Sequence, residues 1–205
     1  MPELLSWESK EANNYFAPRF STKMWVDDLS THLIGNILEV VRKYEQEGLY
    51  ANDRWEHYNV FAWDHKCIDI LGTLIRVSYQ DFCRAIDIPE EKGIWIRGWI
   101  YPQKYGMTLD RHVHALHENS FLSGNLCLTQ NNTTTDYDIP YVGLTKIKNS
   151  KGRLLLFPSC IPHSSDTLKE PDRYTLAFDM ITEQGMDYFR KYNNAEDSLQ
   201  YATQL

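Results

Sequence analysis

The chain has 205 residues, 42% hydrophobic and 24% charged, with a formal net charge of −7. That length fits one compact domain able to bury roughly 70% of the surface its unfolded form exposes, and the composition is ordinary for a globular protein. A negative balance with no long basic run repels a nucleic-acid backbone, and no apolar run nears the roughly 18 residues of a membrane span, so neither partner is expected.

The first residues, Met1-Pro2-Glu3-Leu4-Leu5-Ser6-Trp7-Glu8, have neither a basic start nor an extended apolar stretch. They do not read as a secretory signal, which predicts a cytoplasmic protein. Cys67, Cys83, Cys127 and Cys160 show no Cys-x-x-Cys pairing, which argues against a zinc knuckle or a disulfide framework and predicts core thiols.

Between Asp28 and Tyr44, Leu29, Leu33, Ile37, Val40, Val41 and Tyr44 recur at helical spacing, with Ser30 or Thr31 able to cap the start and Gly48 past the end. A second amphipathic helix is predicted from Lys66 to Ala85, where Leu71, Ile75, Ser78 and Phe82 share a face and Pro89 follows. From Gly93 onward the texture changes to short β-type runs at Ile94–Tyr101, Phe121–Thr129, Tyr141–Lys148, Arg153–Phe157 and Arg173–Ile181. The Asn- and Thr-rich stretch Gln130–Asp138 reads as a loop. Helices followed by a block of strands predict a mainly β sandwich or barrel braced by helices. The expected division is a single domain over 1–205: mainly helical support at 1–90, the β core at 93–182, and a tail or amphipathic helix at 183–205.

The chemistry-bearing residues lie in the β block. His112-Val113-His114 places two imidazoles at positions i and i+2, the same side of a strand, where both can reach one metal ion. A second segment, Gly152-Arg153-Leu154-Leu155-Leu156-Phe157-Pro158-Ser159-Cys160-Ile161-Pro162-His163, carries a third histidine past a proline-marked bend. Ten residues on, Arg173 heads the apolar run Tyr174-Thr175-Leu176-Ala177-Phe178. Arginine grips a carboxylate through two parallel hydrogen bonds and keeps its charge when buried.

Together with Ser123-Gly124 at a strand start, these motifs resemble the Fe(II)/2-oxoglutarate oxygenase superfamily, nearest the short phage and bacterial branch with His-x-His in place of His-x-Asp or His-x-Glu. The run Tyr101-Pro102…Gly106…Arg111-His112-Val113-His114 is similar to the matching strand pair of prolyl hydroxylases, and the likeness covers about the last 110 residues. It implies a double-stranded β-helix, a jelly-roll or cupin-like barrel. It also implies iron(II) held by His112, His114 and His163, and 2-oxoglutarate as cosubstrate, with Arg173 on its distal carboxylate and Thr175 and Tyr101 lining its pocket. The implied reaction consumes oxygen, releases succinate and CO2, and hydroxylates a C–H bond of a small-molecule or peptide substrate. Halogenation, desaturation and demethylation are variants of the same chemistry.

The sequence departs from the superfamily pattern in two ways. The usual two-histidine, one-carboxylate set has lost its acid to His114, so neutral imidazoles would leave the metal charge uncompensated. Three extra residues before Ser123 bring in His117 and Glu118 as rival third ligands. With Glu118, the motifs Gly106-x5-His112-x-His114-x3-Glu118 and Gly152-x5-Pro158…His163 also resemble the cupins, although Cys160 and Thr167 stand where cupins usually have Gly and Asn, and Arg173 has no role there. A non-catalytic binding barrel is a third reading. Trp55, Trp63, Trp95, Trp99 and the neighbouring tyrosines are expected to pack the core between helices and sheet, and His32, His57 and His65 are assigned no catalytic role.

Overall fold

The computed structural model describes residues 1–50, 58–192 and 202–205. Eleven strands are described: β1 Glu3–Glu8, β2 Ser21–Asp28, β3 Trp95–Gln103, β4 Leu109–His112, β5 Leu122–Cys127, β6 Thr134–Ile139, β7 Gly143–Lys148, β8 Arg153–Pro158, β9 His163–Ser165, β10 Arg173–Ile181 and β11 Thr203–Gln204. Three α-helices accompany them: α1 Thr31–Gln46, α2 Lys66–Ala85 and α3 Glu183–Tyr192.

The strands form a large sheet ordered β1-β2-β8-β5-β10-β3-β11 and a small one ordered β4-β9-β6-β7, all pairs antiparallel. From β3 to β10 the chain passes repeatedly between the two sheets, the winding of a double-stranded β-helix. Both helical predictions hold, α2 to the residue. Gly48 ends α1 at φ 67°, a left-handed conformation that costs glycine nothing. Ser30 stands at the α1 N-cap position, but its side chain makes no capping bond.

Two segments differ from expectation. The first 28 residues, assigned to helical support, contain the hairpin β1–β2, whose second strand joins the large sheet against β8. The residues Gln130–Asp138, read as a loop, hold most of β6, which pairs with both β7 and β9. The alternation of β6 is masked because its barrel face carries Thr135 and Tyr137 and its other face Thr134 and Asp136, so both faces are polar.

Two apolar clusters hold the structure. One lies between α1, α2 and the outer face of the large sheet and includes Ile34, Ile37, Val41, Leu71, Ile75, Ile100, Leu126, Leu154, Leu156, Leu176 and Phe178. The other lies between the sheets and includes Met24, Val26, Tyr137, Ile139, Leu155, Phe157 and Ile161. Each fully buried aliphatic or phenyl side chain contributes about 1.5–3 kcal/mol. Strand β8 supplies Leu154 and Leu156 to one cluster and Leu155 and Phe157 to the other, which explains its unbroken apolar run. Strand β10 does the reverse. It turns Tyr174, Leu176, Phe178 and Met180 toward the helices and Arg173, Thr175, Ala177 and Asp179 into the barrel, so the end of the interior that β10 lines carries polar groups beside the apolar cluster.

Gly152, at φ 92°, sits under the Leu29 carbonyl, whose oxygen is 2.5 Å from where a Cβ would stand. It ties the start of β8 to the end of β2 through Leu29 N donating to Gly152 O at 2.8 Å. Among the described residues no helix is long and apolar enough to cross a membrane. Cys67, Cys83 and Cys127 are buried as expected, whereas Cys160 is exposed in the bend before His163.

Candidate metal centre

Strand pairing builds the site. His112, at the end of β4, is the register partner of His163, at the start of β9, and their ring centroids lie 4.3 Å apart. Two residues beyond His112 the chain has left β4, and there His114 N donates to Ser159 O at 3.1 Å. One ring nitrogen from each of the three histidines lies within 4.8 Å of the others.

The ring hydrogen bonds decide which nitrogens are free. Nδ1 of His112 lies 2.8 Å from the Asp110 carbonyl oxygen and Nδ1 of His163 3.2 Å from that of Ile161, so both must donate there. Nδ1 of His114 lies 2.5 Å from a carboxylate oxygen of Asp179. All three Nε2 lone pairs are therefore left for a shared cation, the arrangement in which a metal-binding histidine is oriented by its second nitrogen. Burial, reinforced by His114 and His112, holds His163 down to about 3, and burial also lowers His112. Neutral imidazoles are the form that ligates a metal.

Across the barrel, Arg173 is 3% exposed. Its Nε donates to Thr175 Oγ1 at 3.1 Å, one terminal nitrogen to Gln103 Oε1 at 3.4 Å, and the other to Thr135 Oγ1 at 3.2 Å. Among the described residues no carboxylate pairs with it. Burial pulls its pKa below the usual guanidinium value, yet an arginine remains charged. Asn125, whose Nδ2 donates to the buried Tyr137 hydroxyl at 2.6 Å, has its Oδ1 buried without a partner among the described residues. A small cavity is bounded by Tyr101, His112, His114, Asn125, Thr135, His163, Arg173 and Thr175. An outer cavity of about 310 Å³, lined by Trp99, Tyr101, Leu109, His112, Val113, His114 and Asp179, opens beside the histidines.

Comparison with known proteins places the architecture. No family model matches the sequence, and no curated protein does. Solved structures do: a Pseudomonas putida prolyl-4-hydroxylase aligns at TM-score 0.60 and 12% identity over 78% of this chain and 87% of that one. A Trichoplax adhaerens prolyl hydroxylase, in complex with a hypoxia inducible factor peptide fragment, aligns at 0.62 and 15% over 79% and 84%. The chain carries the fold of the 2-oxoglutarate/Fe(II) oxygenases. A third structure with this oxygenase fold, the non-heme alpha ketoglutarate dependent epimerase SnoN from nogalamycin biosynthesis, aligns at 0.57 and 10% over 78% and 77%.

Within this oxygenase fold the sequence-predicted residues converge: His112, His114 and His163 on one cluster, and Arg173, Thr175 and Tyr101 on the cavity beside it. The rivals do not join them. Glu118 is exposed, and His117, also exposed, stacks with Tyr188 at 6.3 Å while its Nδ1 accepts from Asn119 N. A carboxylate that the sequence reading did not consider, Asp179, contacts the ring of His114. Asp179, Gln103, Thr135 and Asn125 were missed; the signal for Asp179 is its i+6 spacing from Arg173, which keeps it on the barrel face of one strand. Trp63 packs with Tyr44, Tyr50 and Tyr58 as expected, and Trp95 donates to Glu183. Trp99 instead faces the site, 5.4 Å from the His114 ring. Trp55 and His57 lie outside the described residues. His32 and His65 line a separate groove between α1 and α2.

Proposed function

We propose that this protein is an Fe(II)- and 2-oxoglutarate-dependent oxygenase that hydroxylates a C–H bond of a small-molecule or peptide substrate. The observation that carries the reading is Arg173, a buried guanidinium with no anionic partner among the described residues, facing a cavity whose other wall is a cluster of three imidazoles. An uncompensated buried charge is costly, and a dianionic cosubstrate held at Arg173 would supply the missing negative charge. His112, His114 and His163 would hold iron, Arg173 and Thr175 would hold the distal carboxylate, and Tyr101 would close the side of the pocket. When bound, iron and cosubstrate supply an oxidant strong enough for an unactivated C–H bond.

The remaining work belongs to the protein. Phe157 and Tyr137 shield the His163 ring at centroid distances of 5.0 and 5.6 Å, excluding water from that flank. The outer cavity, walled by Trp99 and Val113, orients the substrate at the open side of the histidines, and its size suits a small molecule or one side chain of a peptide. The cupin reading needs Glu118 among the ligands, and Glu118 stands exposed outside the cluster. The test is direct: iron-loaded protein supplied with oxygen and 2-oxoglutarate forms succinate, slowly even without its true substrate. If neither succinate nor binding of 2-oxoglutarate is detected, the proposal fails.

A further inference from the structure

The three histidines are not equally supported. His112 and His163 are register partners in a strand pair, whereas His114 lies past the end of β4 and depends on other contacts. Beside ring packing against Trp99 and Phe157, two of its hydrogen bonds lead into one polar network. Its backbone N–H donates to Ser159 O at 3.1 Å, and its Nδ1 lies 2.5 Å from Asp179 Oδ1. That same carboxylate oxygen accepts from the Ser123 hydroxyl at 2.6 Å, and the Ser123 and Ser159 hydroxyls are 2.9 Å apart. Asp179 and Ser123 are cross-strand partners in the β10–β5 ladder, and Ser123 and Ser159 are both buried. A chain of hydroxyl, hydroxyl and carboxylate thus runs from the bend after β8 to the ring of His114.

Resting on the metal-binding reading of the histidines, we propose that Asp179 is the positioning residue of His114 and returns to the site, through that imidazole, the negative charge that a carboxylate ligand would supply directly. Two consequences follow from physical chemistry. Holding the Nδ1 proton fixes the tautomer that exposes Nε2 and makes the ring a stronger donor, so removing the carboxylate weakens metal binding by about 10- to 100-fold. A carboxylate would also repel an anion held beside the histidines; unit charges about 8 Å apart repel enough that removing one tightens anion binding by between about 2- and 30-fold for effective dielectric constants from about 80 to 20. A side chain that merely supports folding would not move these two affinities in opposite directions.

The experiment titrates wild-type, Asp179→Asn and Asp179→Ala proteins with cobalt(II), followed by its visible absorption, and then titrates the cobalt-saturated proteins with azide. The expected result is weaker cobalt binding and tighter azide binding in both variants. The cobalt loss should be smaller for Asp179→Asn, because its amide oxygen can still accept from Nδ1 and its size preserves the fold. Cobalt affinity that is unchanged, or azide affinity that is unchanged or falls together with cobalt affinity, would overturn the proposal. Absence of cobalt binding by the wild-type protein would instead overturn the metal-binding reading beneath it.

Discussion

The His112 and His163 rings stand 4.3 Å apart because the two residues face each other as register partners across the β4–β9 pair. That pairing fixes their Cα atoms opposite each other, and His114 completes the set from the segment that follows. Alanine at any of the three positions is therefore expected to deplete bound iron, measured by metal analysis of the purified protein. Alanine at His117 or Glu118 should leave iron content unchanged. Full occupancy in His114→Ala together with depletion in Glu118→Ala would move the third ligand to the carboxylate.

Among the described residues the hydrogen bonds of Arg173 go to Thr175, Gln103 and Thr135 and to no histidine, so Arg173→Ala should separate cosubstrate from metal. Losing a buried charge-assisted contact costs about 2–5 kcal/mol, or roughly 30-fold or more in affinity. Calorimetric titration of the iron-loaded variant with 2-oxoglutarate should show this loss at unchanged iron content. Arg173→Lys should restore only part of it, because a point charge cannot reproduce the two-pronged grip. Wild-type affinity in the alanine variant would remove Arg173 from the site.

Gly124 makes room for the β10 core. A Cβ there would collide with the Phe178 ring and stand 2.6 Å from the Leu155 carbonyl oxygen, part of the backbone that cannot move aside. Gly124→Ala is expected to cost about 1–3 kcal/mol, seen as a melting temperature lower by about 2–4 °C for each kcal/mol. Gly35→Ala, in α1 with only the Lys151 ammonium 4.0 Å away, should shift the melt upward by helix propensity. Equal melts for the two variants would contradict this packing.

In the metal-free protein His163 is held neutral down to about 3, against an ordinary imidazole value of 6.5. As pH falls the unfolded chain takes up its proton first, so this group's contribution to stability is complete above 6.5 and is lost as pH falls toward 3. His112, shifted the same way by burial, adds to the slope. Urea unfolding of chelator-treated protein across that range should show stability falling with acid, and His163→Gln should flatten the fall. An unaltered slope in the variant would mean that some other group governs it.

Much of this protein was legible in its sequence because local patterns encode it. Helical spacing marked α1 and α2, and the apolar run of β8 was visible because Leu154 to Phe157 are buried on both faces. The spacing of His112, His114, His163 and Arg173 named the groups that the barrel brings together. Other features depended on pairing between distant segments. Strand β6 was hidden because its polar faces become buried only when β7 and β9 flank it. The β1–β2 hairpin was hidden because its pairing with β8 spans more than a hundred residues. Trp99 resembled a core residue until the register of β3 against β10 set it beside Ala177 and turned it to the histidines. Asp179, an acid in the middle of an apolar strand, gave no sign of its partner, because its contact with His114 crosses 65 positions of sequence. Periodicity marks the segments whose apolar pattern is strong, whereas which oxygen meets which ring nitrogen is decided only when the two sheets close around the same interior.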